Sequence, residues 1–247
     1  MNKLNFENIY NNLPKNRVKV DIFEEIDSTN DEAKRISLEN EFHLIVAEKQ
    51  LKGRGRHGKT WSSPDSHNIY MTICTKNDFS FTPESLMTGV ICRKSINNIN
   101  KNINIGLKWP NDLILNKKKI GGILTEKEHY QNEIKTIIGI GINLNIEKKE
   151  SWWGDLSKFN LENKRNDLII QITKNLIKVF DEKDFDWLKE WRHACVHINK
   201  EIKIYNNQDK KQNAIFKDVD SSGNAIIETE NGLEVFSSGQ ISIKGIY

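Results

Sequence analysis

Only three cysteines stand in this chain of 247 residues, and Cys74, Cys92 and Cys195 are too few and too far apart to make a disulfide framework or a zinc site. They read as small buried apolar side chains. An apolar leader is lacking as well: MNKLNFENIYNNLPKN at residues 1–16 holds no hydrophobic stretch of signal length, and no later run approaches a membrane span. Net charge is scarce. Lysine and arginine total 37 against 34 acids, and a balance of +3 is too weak to draw in nucleic acid or an anionic membrane in general, so any basic site must be local. No internal repeat or evident linker is visible, and the run NNINKNIN at 97–104 belongs to a chain-wide asparagine, lysine and isoleucine bias. With 37% hydrophobic and 29% charged residues and a mean hydropathy of -0.62, the chain is expected to be a folded cytoplasmic protein, sized between one large domain and two small ones.

Periodicity places the elements. Thr29 and Glu32 have capping-box spacing, which predicts a first helix from the Ser28-Thr29-Asn30 segment to about Leu38. Residues 42–47 (FHLIVA) and 68–75 (NIYMTICT) read as buried strands of one sheet. Thr82 and Pro83 open a helix to about Ile96, and strands follow at 103–108, 113–115, 119–126 and 134–142, with a hairpin turn at Asn116-Lys117-Lys118. Asn166 and Asp167 cap a helix to about Phe180, and a shorter one covers 184–194. From Ile198 the pattern changes to brief strands at 201–205, 214–219, 225–228, 233–236 and 240–243. This predicts an α+β body, residues 1–197, with a small β-barrel at 198–247 packed against it.

The densest chemistry lies at residues 53–61, GRGRHGKTW, where three glycines let backbone amides converge on an anion and Arg54, Arg56 and Lys59 supply charge. Gly53 to Thr60 also satisfies the P-loop pattern G-x-x-x-x-G-K-T. Context argues against that reading, because a P-loop leaves a buried strand directly and opens a helix, whereas here five mostly polar residues precede Gly53 and Ser62-Ser63-Pro64 stand where the helix should continue. A site-specific anion lid fits better, with a solvated basic loop as the alternative and His57 exposed within it. Lys108 ends a strand in KWPND, either as a point charge for a carboxylate or phosphate or as a lysine reaching for solvent, and Trp109 is expected in the core. Gly121 and Gly122 permit close backbone approach or mark a bulge. The GIGIN segment from Gly139 lacks the third glycine of a dinucleotide fingerprint.

Taken in order and with their spacing, AEKQLKGRGRHGKTWSSP, KWPNDLIL, KKIGGILTE and IGIGINLN resemble the biotin protein ligases over almost the whole chain. The resemblance implies a class II synthetase-like catalytic domain, a mixed sheet with flanking helices, and a C-terminal SH3-like barrel. It implies a reaction in which biotin and ATP, accompanied by Mg²⁺, give biotinyl-5′-adenylate and pyrophosphate. Biotin then passes to one lysine of a biotin carboxyl carrier protein of a biotin-dependent carboxylase such as acetyl-CoA carboxylase. By motif, Ser28, Thr29, Asn30, Gln50, Gly53, Arg54, Lys108 and Gly122 are similar to biotin contacts. Arg54, Arg56, Trp61, Lys108, Asn111 and Asn143 are similar to residues at the nucleotide, with Arg56 and Lys108 as the catalytic pair. Metal ligands are not implied.

Two departures from the family pattern stand out. His57 and Lys59 occupy lid positions where arginine is common, so the lid is less strongly charged. Some bacterial members carry a helix-turn-helix repressor domain, and the fewer than thirty residues before Ser28 are too short for one, so no operator binding is expected. A lipoate or octanoate ligase of the same architecture is the nearest alternative, although lipoate enzymes lack the arginine-glycine loop. A nucleic-acid module is the other, against which stand the weak net charge and the few barrel aromatics, Tyr205, Phe216, Phe236 and Tyr247. A homodimer formed by pairing of exposed sheet edges is possible on this reading.

Overall fold

Strands 42–47 and 68–75, the two most apolar runs of the sequence reading, lie side by side near the middle of a seven-stranded sheet in the computed structural model. The structure describes residues 3–65, 67–77, 79, 81–130, 133–147, 150–206 and 211–244. The larger body comprises α1 (Phe6–Asn11), β1 (Val18–Ile26), α2 (Thr29–Arg35), β2 (Phe42–Gln50), β3 (Ile69–Thr75), α3 (Glu84–Ile99), β4 (Gly106–Lys108), β5 (Asp112–Leu115), β6 (Lys118–Tyr130), β7 (Glu133–Ile142), α4 (Arg165–Glu182) and α5 (Trp187–Ala194). Sheet order is β1-β2-β3-β7-β6-β5-β4, with β1 and β2 parallel and every other pair antiparallel. Among the described residues no helix is long and apolar enough to cross a membrane.

The period of two along each strand sorts side chains onto two unlike faces. Phe42, Leu44 and Val46, Ile69, Met71 and Ile73, and Ile138, Ile140 and Ile142 all join the main core with α3, α4 and α5. Their neighbours on the opposite face, Ile45, Cys74 and Ile137, form a small second cluster with Ala33 of α2. That second face is apolar only beneath α2. Further along it the same parity delivers Thr72, Gly139 and Gly141, and through the β6–β7 register Gly122, Leu124 and Glu126, so one end of the face has few large side chains.

Several boundaries differ from the sequence reading. Ser28, not Thr29, caps α2: its hydroxyl accepts from the Asp31 amide, and the helix ends at Arg35 where Ile36 turns extended. Pro83 rather than Thr82 precedes α3, and α4 starts at Arg165 behind two short 3₁₀ turns, one residue ahead of the expected Asn166 cap. The expected strand from Ile103 shrinks to Gly106–Lys108. α1 and the edge strand β1 were not anticipated, because β1 (VKVDIFEEI) alternates only in its first half. Asn116 and Lys117 do form the hairpin turn, both at positive φ.

Residues beyond Val196 build a five-stranded antiparallel sheet, β8 (Lys200–Asn206), β9 (Lys211–Val219), β10 (Ala225–Thr229), β11 (Gly232–Phe236) and β12 (Ile241–Lys244), in the order β11-β10-β9-β8-β12. Phe216 from β9 sits among Trp109, Trp191 and His197, with ring centroids 6.5, 6.4 and 4.1 Å away. Trp109 Nε1 donates to the Gly223 carbonyl at 2.9 Å, and the Val196 amide donates to Leu107 O at 3.0 Å. Barrel and body are therefore joined through the KWPND segment itself. Trp109 is core, as expected, and the three cysteines form no disulfide, with Cys74 and Cys92 buried and Cys195 half-buried.

One buried ion pair ties α4 to the sheet. Arg165 is 0% exposed, and its two terminal nitrogens donate to both oxygens of Glu48, each at 2.7 Å, while the Leu4 amide adds a third bond. Burial opposes ionisation of Glu48, yet Arg165 and Leu4 outweigh it and hold the carboxyl below its ordinary value. Arg165→Met strands a buried carboxylate and is expected to cost about 3–5 kcal/mol in urea unfolding, whereas Glu48→Leu with Arg165→Met recovers most of that loss.

Candidate active site

Where the second face of the sheet runs out of side chains, a cavity of about 570 Å³ opens between α2, residues 54–64, the KWPND turn and β12. Glycine makes the room. A Cβ at Gly139 would lie 2.0 Å from Asn30 Oδ1, and one at Gly141 would lie 2.6 Å from the Trp61 indole. Gly121 does both things foreseen for it, standing beside a register shift in β5 and approaching the Gly141 carbonyl.

One wall is a polar set fixed before any ligand arrives. The Thr29 amide and hydroxyl both donate to Gln50 Oε1, at 2.9 and 3.1 Å, and Gln50 Nε2 donates to Ser63 Oγ at 2.8 Å. The Thr72 hydroxyl donates to Asn30 Oδ1 at 2.7 Å and lies 2.8 Å from Thr29 Oγ1. Ser28, Thr29 and Asn30 are all buried at the N-terminal end of α2. Such a wall offers hydrogen-bonding groups in fixed geometry to a compact polar head group.

Residues 50–63 form the lid, a narrow excursion closed by cross-strand bonds. Gln50 N donates to Ser63 O, Trp61 N to Gly53 O and Gly55 N to Lys59 O, at 3.1, 2.8 and 2.7 Å. Its tip is a 3₁₀ turn over Arg56–Gly58, with φ of +53° at His57 and +71° at Gly58. No helix follows Thr60, which agrees with the rejection of a P-loop. Gly53 does not line the cavity; it lies in the lid stem, where a Cβ would meet Trp61 O at 2.3 Å.

The two lid arginines have separate stations. Arg54 turns toward the sheet, pairing with Asp31 at 2.6 Å and Glu126 at 2.9 Å, and these acids overcome burial to raise its proton affinity. Its charge is already balanced there, so in this conformation it adds little to an anion site. Arg56 lies at the rim and donates to the Ser238 carbonyl between β11 and β12. Burial lowers its proton affinity, with the field of Asp112 opposing, as expected of a partly desolvated cation close to few acids.

Lys108 stands at the end of β4, 6% exposed, which excludes the solvent-reaching alternative. Burial pushes its ammonium down to about 8; Asp112 opposes this, and Lys119, Lys59 and Lys244 reinforce it. Asp112 is 3.9 Å from Lys108 and 2.6 Å from Lys119, whose ammonium lies 5.4 Å from the Trp61 ring centroid. Several cations thus converge on one carboxylate, leaving a surplus that an oxyanion would neutralise. Asn111 and Asn143 also line the cavity, but their amide nitrogens are spent on Ile123 O at 2.8 Å and Gly154 O at 3.0 Å.

Sequence reading missed Thr72, Asp112, Lys119, the Trp152-Trp153 pair and Ile241–Lys244 as lining or supporting residues. Asp112 and Lys119 had a signal, since they lie within KWPND and KKIGGILTE; the others meet the cavity through pairings that no local pattern encodes. Asp112 and Glu147 are the carboxylates on the cavity wall, and the one compact metal-type cluster among the described residues, Glu48, Asp65 and His67, lies outside the lining and has Glu48 engaged by Arg165. That donor set suits Mg²⁺ brought on a nucleotide's own phosphates better than an all-protein cage.

Comparison with known proteins agrees with this layout. Residues 22–145 match the biotin/lipoate A/B protein ligase family, and residues 197–244 match the biotin protein ligase C terminal domain. The chain is 27% identical over 233 residues to the bifunctional ligase/repressor BirA of Escherichia coli, covering 89% of this chain and 72% of that protein. It is 22% identical over 211 residues to the biotin–[acetyl-CoA-carboxylase] ligase of Mycobacterium tuberculosis, covering 80% and 77%. The fold superposes on biotin protein ligase from Aquifex aeolicus in complex with biotin and ATP, with a TM-score of 0.75, 24% identity and coverage of 91% and 98%.

Since Gly141 faces the Trp61 ring, Gly141→Ala is expected to displace the indole and loosen the lid, at an overpacking cost of ~1–3 kcal/mol. Trypsin cleavage after Arg54, Arg56 and Lys59 should accelerate. Gly239→Ala, with open space around it, should leave the cleavage rate unchanged.

Proposed function

Because this chain belongs to the biotin/lipoate A/B protein ligase family, we propose that it activates biotin with ATP and transfers it to a lysine of a carrier protein. The observation that supports this most is the joining, in one cavity, of a preset polar wall at Ser28, Thr29 and Gln50, a buried Lys108 and an arginine-bearing lid. The biotin ureido group fits the wall, the valerate carboxylate extends toward Lys108, and the nucleotide lies over Trp61, Asn111 and Asn143. Gly122 offers backbone instead of a side chain along that path.

The biotin carboxylate attacks the α-phosphorus of ATP in line, an acyl–phosphate bond forms, and pyrophosphate leaves with the electrons of the broken P–O bond. Two anions must meet, so the chain's contribution is positioning and cationic charge rather than a nucleophile. Lys108 is suited to neutralise the carboxylate and α-phosphate, with Lys119, Lys59 and Lys244 adding field. Mg²⁺, when bound on the nucleotide, supplies further charge neutralisation, with Asp112 and Glu147 the carboxylates within reach of its surroundings. Arg56 leaves the Ser238 carbonyl for the acyl phosphate as the lid settles, and the closed lid keeps water from the mixed anhydride. In the second half, an unprotonated carrier lysine attacks the acyl carbon, AMP leaves, and the amide nitrogen loses a proton.

Carriers of biotin-dependent carboxylases are the fitting acceptors, by analogy with the Mycobacterium tuberculosis relative. A repressor role, which the name of the Escherichia coli relative includes, is not part of this reading, because +3 overall gives no broad attraction for DNA.

Pyrophosphate release is expected with biotin and not with lipoate or octanoate, followed by labelling of a carrier lysine; release with lipoate alone would replace this reading by that of a lipoate ligase. In the pH profile of kcat/KM, the free-enzyme ammonium of Lys108 is charged below about 8 and neutral above it. The adenylation rate constant should therefore fall as pH rises through that value, and Lys108→Arg should move the fall to higher pH. Lys108→Ala should impair adenylate formation, while Arg56→Ala mainly hastens adenylate escape, by ~2 kcal/mol for a lost charge-assisted contact, separable by single-turnover assay.

A further inference from the structure

We propose that Glu126 is a positioning residue that holds the root of the lid through Arg54. This rests on the biotin-ligase reading only for its catalytic readout. Glu126 projects from the middle of β6 onto the glycine-lined face, opposite Ile137 in the register. Its Oε2 accepts from Asn30 Nδ2 at 2.9 Å and from Arg54 at 3.2 Å; its Oε1 accepts from Arg54 at 2.9 Å and from Lys34 at 2.8 Å. One carboxylate thus joins the polar wall, helix α2 and the lid stem.

The charges around it balance: Arg54 and Lys34 against Asp31 and Glu126. Burial opposes ionisation of Glu126, but Asn30, Lys34 and Arg54 together hold it below its ordinary value, so it is an anion at neutral pH. Among the described residues, Arg54 makes the only ion pair between lid residues 53–61 and the rest of the chain. Backbone bonds from Leu51 N to Ile26 O and from Lys52 N to Asp27 O, at 2.8 and 2.7 Å, hold the base of the lid to the end of β1, and Arg56 holds its tip on the Ser238 carbonyl. Between these points Gly53 with Trp61 and Gly55 with Lys59 hold the lid to itself, and Arg54 with Glu126 is the charged tie of that stretch to the glycine-lined face. Because Asn30 and Arg54 share Oε2, the same carboxylate also fixes the position of the lid relative to the wall that meets the substrate head group.

Glu126→Gln keeps the volume and removes the charge. Hydrogen exchange of amides 53–61 in the ligand-free chain is expected to speed up at least ~fivefold, and release of the acyl adenylate ~tenfold, the scale of one lost charge-assisted bond. Adenylate formation at saturating biotin and ATP should change less than ~threefold. Arg54→Ala should reproduce the exchange effect, and Arg54→Ala with Glu126→Gln should be no worse than Arg54→Ala alone, because Glu126 acts through that arginine. Asp31→Asn, which weakens the same arginine from its other side, provides the comparison if Glu126→Gln fails to fold. Unchanged lid exchange in a folded variant, or effects that multiply in the double variant, would overturn the assignment; so would a lowered unfolding temperature as the sole consequence. Exchange is read without substrate, so a chain that makes no biotinyl adenylate would remove the functional reading and leave this test standing.

Discussion

Three glycines in neighbouring positions on two strands, Gly122, Gly139 and Gly141, leave part of one sheet face without side chains, and the remainder of the site depends on that vacancy. Asn30 occupies the space over Gly139, and the Trp61 indole occupies the space over Gly141. Any larger residue would push away either the polar wall or the lid. The cost of opening a sheet face is borne by the opposite face, where Ile138, Ile140 and Ile142 and their neighbours pack against three helices in a continuous core.

Charge is then placed where the sheet provides cover. A lysine on open loop would keep its ordinary proton affinity and be screened by solvent, whereas Lys108 is buried at a strand end between Asp112 and other lysines, and its ammonium is correspondingly easy to neutralise. An arriving carboxylate or phosphate relieves that frustration, which is the differential interaction that binding and catalysis both require. The arginines of the lid divide the work in the same spirit. Arg54 is spent on holding the stem, and Arg56 remains at the rim on a backbone carbonyl of the C-terminal sheet, a neutral partner that an oxyanion can displace.

Much of this was legible without coordinates. The strand runs at 42–47 and 68–75 follow from unbroken apolar stretches rich in β-branched and aromatic residues, and the failure of GRGRHGKT to act as a P-loop follows from Ser62-Ser63-Pro64, which cannot continue a helix. Gln50, Lys108 and Trp61 were legible because each lies beside a glycine- or proline-marked motif, Ser28 and Thr29 because they stand at a helix start, and all five line the cavity. β1 was not legible, since an edge strand with one solvated side needs few apolar residues and its second half, IFEEI, does not alternate. Gly53 was placed at the ligand by its motif; its carbonyl accepts from Trp61 N in the lid stem.

The sequence by itself determined which segments form most of the strands and helices, which residues could bear positive charge and which positions could tolerate no side chain, because these are properties of local period, ionisable groups and glycine geometry. Tertiary structure alone decided that Arg54 faces Glu126 and Asp31, that Arg56 reaches the turn before β12, and that Lys108 lies among Asp112, Lys119 and Lys244. Those partners stand between 4 and about 180 residues apart along the chain. Their meeting depends on strand order, register and the docking of two sheets through Trp109 and Phe216, which a local pattern does not encode.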